Sequence, residues 1–302
     1  MIFDFAPRPP YSFALTAACS RLYDTTHVYR DGALYRLFRA GDGLALARVT
    51  DVGGDPAPLR IRAEVVATHG MVDEAQVAAA VRHWLAVDLS FSDFYDLAER
   101  DPALSLIIHT LHGLHMLRTP SVFEALMVTM IEQQIALSAA QKAERWLIET
   151  YGEHLEHEGV RYSAFPTPQT LAALDQVALT PLKITFVRMR RMIAVARTIA
   201  EGTLDLEALH GKPKDEAYAA LIALNGVGHW TAAWTMIRAL GEYMYVGSAD
   251  VALRAAVNGY WRGQPGRASR EETDAHFAQY GAFAGEACVY TLMMLGMERY
   301  PV

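Results

Sequence analysis

One acidic residue and two tryptophans stand near each other in this sequence, in a pattern suited to a cationic reactant. Asp250 directly precedes the run VALRAAV, so its side chain is predicted to cap a helix that begins at Val251. The positive end of the helix dipole keeps such a carboxylate ionised. Trp230 and Trp234 are four residues apart and therefore share a helical face on which a planar cation can stack. The pattern favours stabilisation of positive charge beside an aromatic wall, although two tryptophans at this spacing also pack in ordinary cores.

A glycine-bounded turn lies just before these tryptophans. Gly226 and Gly228 bracket Val227, between one apolar run at 218–224 and another at 230–240. Two short helices are therefore predicted to meet at the triplet, where glycine allows a positive φ or a close approach to another surface. Main-chain N–H groups of the turn and of the second helix can bind a phosphate. A plain corner between two helices has the same composition.

This stretch resembles the helix-hairpin-helix motif and downstream aspartate of the DNA glycosylase superfamily that is named for them. The matching positions are Leu224, Gly226, Val227, Gly228, Thr231, Ala232 and Asp250. Trp230 stands where the glycosylase-lyases of this family carry a nucleophilic lysine, so the chain is most similar to the alkylated-base branch, the 3-methyladenine DNA glycosylase II type. Further motifs in the family's order extend the resemblance over residues 90–300. Asn225, Ala249 and Gly285 depart from the family pattern.

The resemblance implies an α+β fold. An amino-terminal antiparallel sheet domain is expected at residues 1–90, followed at 91–302 by a mostly helical glycosylase core of two subdomains that contains the helix-hairpin-helix. The implied activity is monofunctional hydrolysis of the N-glycosidic bond of alkylated purines, 3-methyladenine and 7-methylguanine, in base excision repair, with Asp250 as the catalytic carboxylate. The expected partner is double-stranded DNA carrying damaged bases, bound by a monomer in the cytoplasm without a cofactor or metal.

Two other functions are compatible with the same motifs. One is an oxidised-base glycosylase with lyase activity, which the absence of a lysine at position 230 disfavours. The other is a non-catalytic helix-hairpin-helix protein that only binds DNA, which the presence of Asp250 disfavours.

A base inside a duplex must be extruded before its glycosidic bond can be reached. By resemblance, Trp230 and Trp234 are expected to stack on the extruded base, with Tyr280 or Phe283 as the second wall of the pocket. The emptied position in the duplex must be filled by a protein side chain.

The side chain that fills this gap is expected at the junction 132–137. Ser121 with Glu124 and Ser138 with Gln141 are predicted capping boxes that open the helices on either side of it. The family resemblance assigns DNA contact to Gln133, Gln134 and Ile135 at this junction, of which Gln134 is the best positional match, and to Gly226, Gly228 and Thr231 in the hairpin. The residues alone are more typical of a solvated helix end.

A basic segment precedes the hairpin. Residues 183–197 contain no acidic residue and five basic ones, which are Lys183, Arg188, Arg190, Arg191 and Arg197. Arg190 and Arg191 are the candidate phosphate contacts, beside the hairpin backbone. A solvated basic helix face would have the same composition.

The residues before position 90 carry strand signals. Asp31-Gly32 separates two alternating segments and predicts a hairpin. A further alternating run follows at 59–67, and Asp73, with Gln76 three residues later, predicts a capped helix at 74–87. The aromatic residues of this region are expected to pack in its core, and they are Phe3, Phe5, Tyr11 and Phe13.

Composition excludes several classes of protein. The net charge of -7 argues against a protein that coats DNA by charge alone. Cys19 and Cys288 are too few for a four-cysteine zinc or iron-sulfur site and are predicted to be buried thiols. His109, His112 and His115 lack a fourth ligand at a usable spacing. No apolar run is long enough for a membrane span, and MIFDFAPRPP has no basic start typical of a signal peptide.

Overall fold

The computed structural model describes residues 1–53 and 59–300 of the chain. Its first part is a five-stranded antiparallel sheet in the order β1-β5-β4-β3-β2. The strands are β1 (Ile2–Phe5), β2 (His27–Arg30), β3 (Ala33–Ala40), β4 (Gly43–Asp51) and β5 (Ile61–His69). Asp31 and Gly32 both have positive φ, 52° and 73°, and form the predicted hairpin between β2 and β3.

The remaining elements are mostly helices. In chain order they are α1 (Phe13–Ser20), α2 (Glu74–Trp84), α3 (Ser92–Ala98), α4 (Pro102–Thr110), α5 (Val122–Glu132), α6 (Leu137–Tyr151), α7 (Pro168–Ala172), α8 (Phe186–Ala200), α9 (Lys214–Ile222), α10 (His229–Thr235), α11 (Val251–Arg262), α12 (Arg270–Ala278) and α13 (Ala284–Arg299). A short hairpin, β6 (His154–His157) with β7 (Val160–Ser163), interrupts them. The predicted α+β class is confirmed.

Both faces of the five-stranded sheet are covered. On one face α2 packs through Val77, Val81 and Trp84, together with the aromatic residues of the amino-terminal segment. Phe5 and Phe13 are buried there, as predicted for core residues. On the other face the β6–β7 hairpin packs through Leu155 and Tyr162. The sheet is thus joined to the helical part of the chain by apolar packing.

The helical part has two cores, and α10 lies between them. Ala232 and Met236 belong to the core built around α5, α6 and α8. Ala233 and Trp234 belong to the core that includes α3, α4, α11 and α13. Successive residues of α10 therefore face opposite ways, and any site on this helix sits where the two cores meet.

The predicted helix caps are partly corrected. Asp73 accepts from Ala75 N and Gln76 N, as expected. Ser121 accepts from Glu124 N, but the Glu124 carboxylate is taken by the buried guanidinium of Arg36 and does not complete a capping box.

The second predicted box is wrong. The helix α6 begins at Leu137, with Ala136 at its N-cap, so Ser138 already lies inside it.

His109, His112 and His115, which are spaced three residues apart, lie in different surroundings. His109 bonds with Glu99 on the surface, His112 stacks on Tyr95, and His115 is buried between two main-chain carbonyls. Within residues 1–53 and 59–300 there is no group of three His, Cys, Asp or Glu side chains that could hold a metal ion. The helices of these same ranges include none with the length and apolar character required to cross a membrane.

Candidate active site

The predicted helix-hairpin-helix is formed by α9, a turn at 224–228, and α10. Gly226 has φ +90°, and a Cβ there would lie 2.5 Å from Cδ of Arg191 on α8. This position requires glycine for both its backbone conformation and its packing. Gly228 has φ −98° and free space around it, so this position needs glycine neither for its backbone conformation nor for its packing within the protein. Its exposed backbone opens the N-terminus of α10.

The turn is fastened to the α5–α6 junction by Gln133. Its Nε2 donates to Gly226 O at 3.1 Å and to Thr231 Oγ1 at 2.9 Å. Thr231 is only 3% exposed. Its side chain therefore positions the hairpin, and Thr231 stays a predicted DNA contact through its main chain alone.

Asp250 caps α11, as the sequence predicts. Its Oδ1 accepts from the main-chain N–H of Ala252 at 2.9 Å and of Leu253 at 3.0 Å. Its Oδ2 accepts from Nε1 of Trp230 at 3.0 Å. Three donors from two elements thus fix the half-buried carboxylate in orientation.

The two tryptophans of α10 have different environments. Trp230 is half-buried and its ring lies beside Asp250. Trp234 is 6% exposed, meets Trp230 edge to face at 6.4 Å, and is covered by the guanidinium of Arg238 at 5.2 Å from its ring centroid. Of the pair, only Trp230 presents a partly open ring next to the carboxylate.

The structure does not bring Tyr280 and Phe283 to this wall. The Tyr280 hydroxyl donates to Asp101 Oδ2 at 2.8 Å, in a separate cleft of about 600 Å³ that Trp261 also lines. Trp261 lies eleven residues beyond Asp250 in α11, which is about 16 Å along the helix axis. Phe283 packs on Phe94, and neither ring pairs with Trp230 or Trp234 within the described ranges.

Two residues that were not predicted to lie near Asp250 are Tyr245 and Cys288. Burial raises the pKa of Tyr245 and of Cys288, and the charge of Asp250 raises both further, so both lie within its field. Tyr245 OH and Ser248 Oγ each donate to Asp274 on α12, at 2.7 and 2.8 Å. Asp274 thereby holds the loop that leads to Asp250. Because Asp274 lies 24 residues after Asp250 in the sequence, no local pattern predicts this role.

The hairpin also contacts that loop directly. His229, the first residue of α10, bonds through Nε2 to the carbonyl of Tyr245 at 2.8 Å and through Nδ1 to the hydroxyl of Tyr218 at 2.9 Å. Because the carbonyl can only accept, Nε2 donates there and Nδ1 accepts from the tyrosine. His229 thus links the hairpin, which carries Trp230, to the loop that leads to Asp250.

Of the three residues predicted at the α5–α6 junction, one is exposed. Gln134 is exposed and has φ +56°, a left-handed conformation that is uncommon for a residue with a Cβ. Gln133 turns inward to the hairpin, and Ile135 is half-buried against the α5–α6–α8 core. The geometry singles out Gln134 among the three predicted residues.

The basic segment is less uniform than its sequence suggests. Arg188 is buried and donates to Ile131 O at 3.2 Å, and Arg197 donates to the carbonyls of Ala172 and Leu174. Arg190 is exposed and donates to Gln176 at 3.1 Å. Arg191, half-buried against Gly226, lies beside the turn. Two of the five basic side chains are therefore engaged by main-chain carbonyls, one of them buried and one at the surface.

This arrangement can be compared with known proteins. A DNA-3-methyladenine glycosylase of Bacillus subtilis (strain 168) is 30% identical over 165 residues, which are 55% of this chain and 54% of that protein. The solved structure of the 3-methyladenine DNA-glycosylase from Archaeoglobus fulgidus matches with a TM-score of 0.79 and 19% identity, over 99% of each chain. Part of the sequence is thus similar to DNA-3-methyladenine glycosylases, and the fold is that of the Archaeoglobus fulgidus protein. No family model matches the sequence.

A solved structure that is named for a different chemistry has the same fold. The DNA complex of the 8-oxoguanine glycosylase/lyase of Clostridium acetobutylicum matches with a TM-score of 0.75 and 17% identity, over 100% of this chain and 99% of that one. At these identities the structural likeness establishes the fold alone. The chain also spans about half the length of the curated relatives it matches. The geometry of the site therefore has to indicate which reaction the chain catalyses.

One departure from the superfamily pattern has a structural reason. A Cβ on Gly285 would lie 2.5 Å from Met244 N and from Tyr243 C. The first turn of α13 thus packs directly against the backbone of the loop that leads to Asp250. A larger residue at this position would push that loop, and with it the carboxylate, away from α13.

Proposed function

We propose that this protein is a monofunctional DNA glycosylase that hydrolyses the N-glycosidic bond of alkylated purines, 3-methyladenine and 7-methylguanine, in duplex DNA. The observation that carries the proposal is the fixed carboxylate of Asp250, held by two main-chain N–H groups and by the indole N–H of Trp230. The relatives named DNA-3-methyladenine glycosylases support the same substrate class.

The carboxylate suits a reaction in which positive charge grows on the sugar. As the base leaves C1′, the deoxyribose becomes cationic, and an anion already oriented beside it stabilises that transition state without rearrangement. The same carboxylate can orient the water that attacks C1′. An alkylated purine is itself cationic and leaves as a neutral base, so the reaction needs no general acid.

The side chain at position 230 supports a monofunctional reaction. A glycosylase-lyase needs an amine to form a Schiff base with the sugar. Trp230 has none, and its only polar group is committed to Asp250. Its half-open ring can instead stack on a cationic purine. The product is then an intact strand with an abasic site.

Binding and base extrusion are assigned to the neighbouring elements. The exposed main chain at Gly228 and the N-terminus of α10 offer N–H groups to a phosphate, and Arg191 and Arg190 add positive charge next to them. Gln134, the exposed side chain of the α5–α6 junction, fills the gap left by the extruded base. Duplex DNA with a damaged base is accordingly the proposed partner.

The test is a panel of duplexes that each carry one modified base. Free base and strand cleavage are scored separately, with and without borohydride. The proposal predicts release of 3-methyladenine and 7-methylguanine, slower release of neutral hypoxanthine, and no trapped complex. Preference for 8-oxoguanine, with trapping at the rate of base release, would establish the lyase instead. Binding without release of any base would establish a non-catalytic protein.

A further inference from the structure

A buried ion pair links the α5–α6 junction to the hairpin helix. Beyond Thr235, α10 continues into a π-helical segment, Met236–Leu240, that carries Arg238. Its guanidinium contacts the Glu132 carboxylate with both terminal nitrogens, Nη1 to Oε2 at 2.5 Å and Nη2 to Oε1 at 2.9 Å. The two side chains are 6% and 8% exposed. Glu132 is the last residue of α5, two positions before Gln134.

A second contact binds the next residue of the junction to the same helix. Gln133 donates to Gly226 O and to Thr231 Oγ1, at the start of the hairpin helix. Glu132 thus holds the π-helical end of this helix while Gln133 holds its beginning. The guanidinium of Arg238 also covers the ring of Trp234, which meets Trp230 edge to face. One cation therefore touches both the junction and the aromatic pair beside Asp250.

We infer that the Glu132–Arg238 ion pair is a positioning pair that sets the Gln134 junction at a fixed distance from Trp230 and Asp250, so that gap filling and base capture occur together. The inference rests on the proposed function. Buried ion pairs contribute little net stability compared with well-packed apolar residues, but a two-pronged contact fixes geometry closely. Misplacement by about 1 Å at a reacting site costs on the order of a hundredfold in rate.

The charges around the pair make its strength sensitive to pH. Glu144 on α6 is 1% exposed; its Oε2 accepts from Thr25 Oγ1 at 3.1 Å, and its Oε1 has no hydrogen-bond partner among the described residues. Burial, together with the charge of Glu132, raises the pKa of Glu144 to about 8, against the attraction of Arg238.

Asp24 is the other carboxylate facing Glu144, and the guanidinium of Arg36 neutralises it at 2.8 Å. The raised pKa of Glu144 keeps this side chain mostly protonated at neutral pH. Above pH 8 its anion repels Glu132 and competes for Arg238, which weakens the hold on the junction.

The experiment compares two duplexes under single-turnover conditions. In one, 7-methylguanine is paired with cytosine and must be extruded against stacking; in the other it lies opposite an abasic analogue and is already loosened. Glu132→Gln is expected to slow excision from the paired duplex at least about tenfold more than from the loosened one. The matched control is Glu124→Gln, which removes another buried carboxylate of α5 that pairs with an arginine, Arg36, away from the junction. It should leave the ratio of the two rates unchanged.

Further variants keep the test decisive if Glu132→Gln folds poorly. The double variant Glu132→Gln/Arg238→Met removes both charges, which is tolerated better than an unpaired buried charge, and it should show the same selective loss. Excision of the paired lesion by the wild type should decline above pH 8, and Glu144→Gln should abolish that decline. Equal slowing on both duplexes, no slowing of the double variant, or an unchanged alkaline decline in Glu144→Gln would each overturn the inference.

A binding readout separates this inference from the proposed function. A fluorescent 2-aminopurine next to the lesion brightens when the stack is opened, whether or not a base is released. Failure of the wild type to excise from either duplex would refute the proposed function. The positioning role would still be supported by fluorescence that rises with the wild type and not with the double variant, and overturned by equal fluorescence with both.

Discussion

Alanine at each of the two glycines of the hairpin turn is predicted to have a different effect on stability. Gly226→Ala places a methyl group at φ +90°, outside the region that residues with a Cβ readily adopt, and 2.5 Å from Cδ of Arg191. Arg191 is flexible at its end and can move, so the steric clash costs less than the backbone strain. Gly228→Ala meets neither obstacle, because φ is −98° and the space is free.

The change in the free energy of unfolding follows from the backbone strain of the new alanine and from the lower entropy of the unfolded chain. A left-handed alanine costs about 1–3 kcal/mol, and the lower entropy of the unfolded chain returns about 0.4–1 kcal/mol. The net destabilisation of Gly226→Ala is thus about 1.5 kcal/mol, which lowers the thermal midpoint by about 3–6 °C. Gly228→Ala should shift the midpoint by less than about 1 °C, since the cost of alanine relative to glycine at an N-cap, roughly 0.5–1 kcal/mol, is offset by the lower entropy of the unfolded chain, about 0.4–1 kcal/mol.

Thermal unfolding and DNA binding are measured on both variants. Gly226→Ala is expected to lose stability and also about fivefold to tenfold in affinity, because the displaced Arg191 gives up a phosphate contact. Gly228→Ala is expected to lose affinity alone, since its methyl group stands where the backbone meets the phosphate. Equal midpoints for the two variants would refute the reasoning about the turn.

Three further predictions concern single side chains. The raised pKa of Glu144 means that the folded protein keeps a proton between pH 4.5 and about 8 that the unfolded chain releases; stability should therefore fall as pH rises through this window, by at most about 1.4 kcal/mol per pH unit, and Glu144→Gln should remove that slope in urea unfolding. Arg191→Ala should reduce the slope of log affinity against log salt by about one, whereas Arg197→Ala, whose guanidinium already serves two carbonyls, should not change it. Gln134→Gly should relieve the strain at φ +56° and raise stability by up to about 1 kcal/mol while slowing excision of a paired lesion, so a destabilised or fully active variant would contradict the role of Gln134.

Local chemistry made part of the site predictable. An aspartate before an apolar run caps a helix whatever surrounds it, and Asp250 does so. The Gly-Val-Gly triplet likewise predicts the corner between α9 and α10. These features depend on residues within a few positions of each other, and the sequence records such neighbours directly.

Other predictions failed where a distant partner decides. Thr231 was assigned to DNA, yet Gln133 from 98 residues away engages its hydroxyl, which leaves only its main chain for that contact. Tyr280 was placed beside the tryptophans, but Asp101, 179 residues away, holds its hydroxyl in another cleft. Arg188 looks like its exposed neighbours in sequence, and only the packing of α8 on α5 reveals that it is buried. Pairings of this kind are set by tertiary structure and leave no local pattern.

The central claim is that Asp250 stabilises a cationic sugar and that no covalent intermediate forms. It is tested most directly by single-turnover release of 7-methylguanine from a duplex, for the wild type and for Asp250→Asn, with borohydride trapping and duplex affinity measured in parallel. We predict that Asp250→Asn retains its affinity for the duplex and releases the base at least about a hundredfold more slowly, and that neither protein is trapped. Release by folded Asp250→Asn at nearly the wild-type rate, or a trapped wild-type complex that forms as fast as the base is released, would contradict the claim.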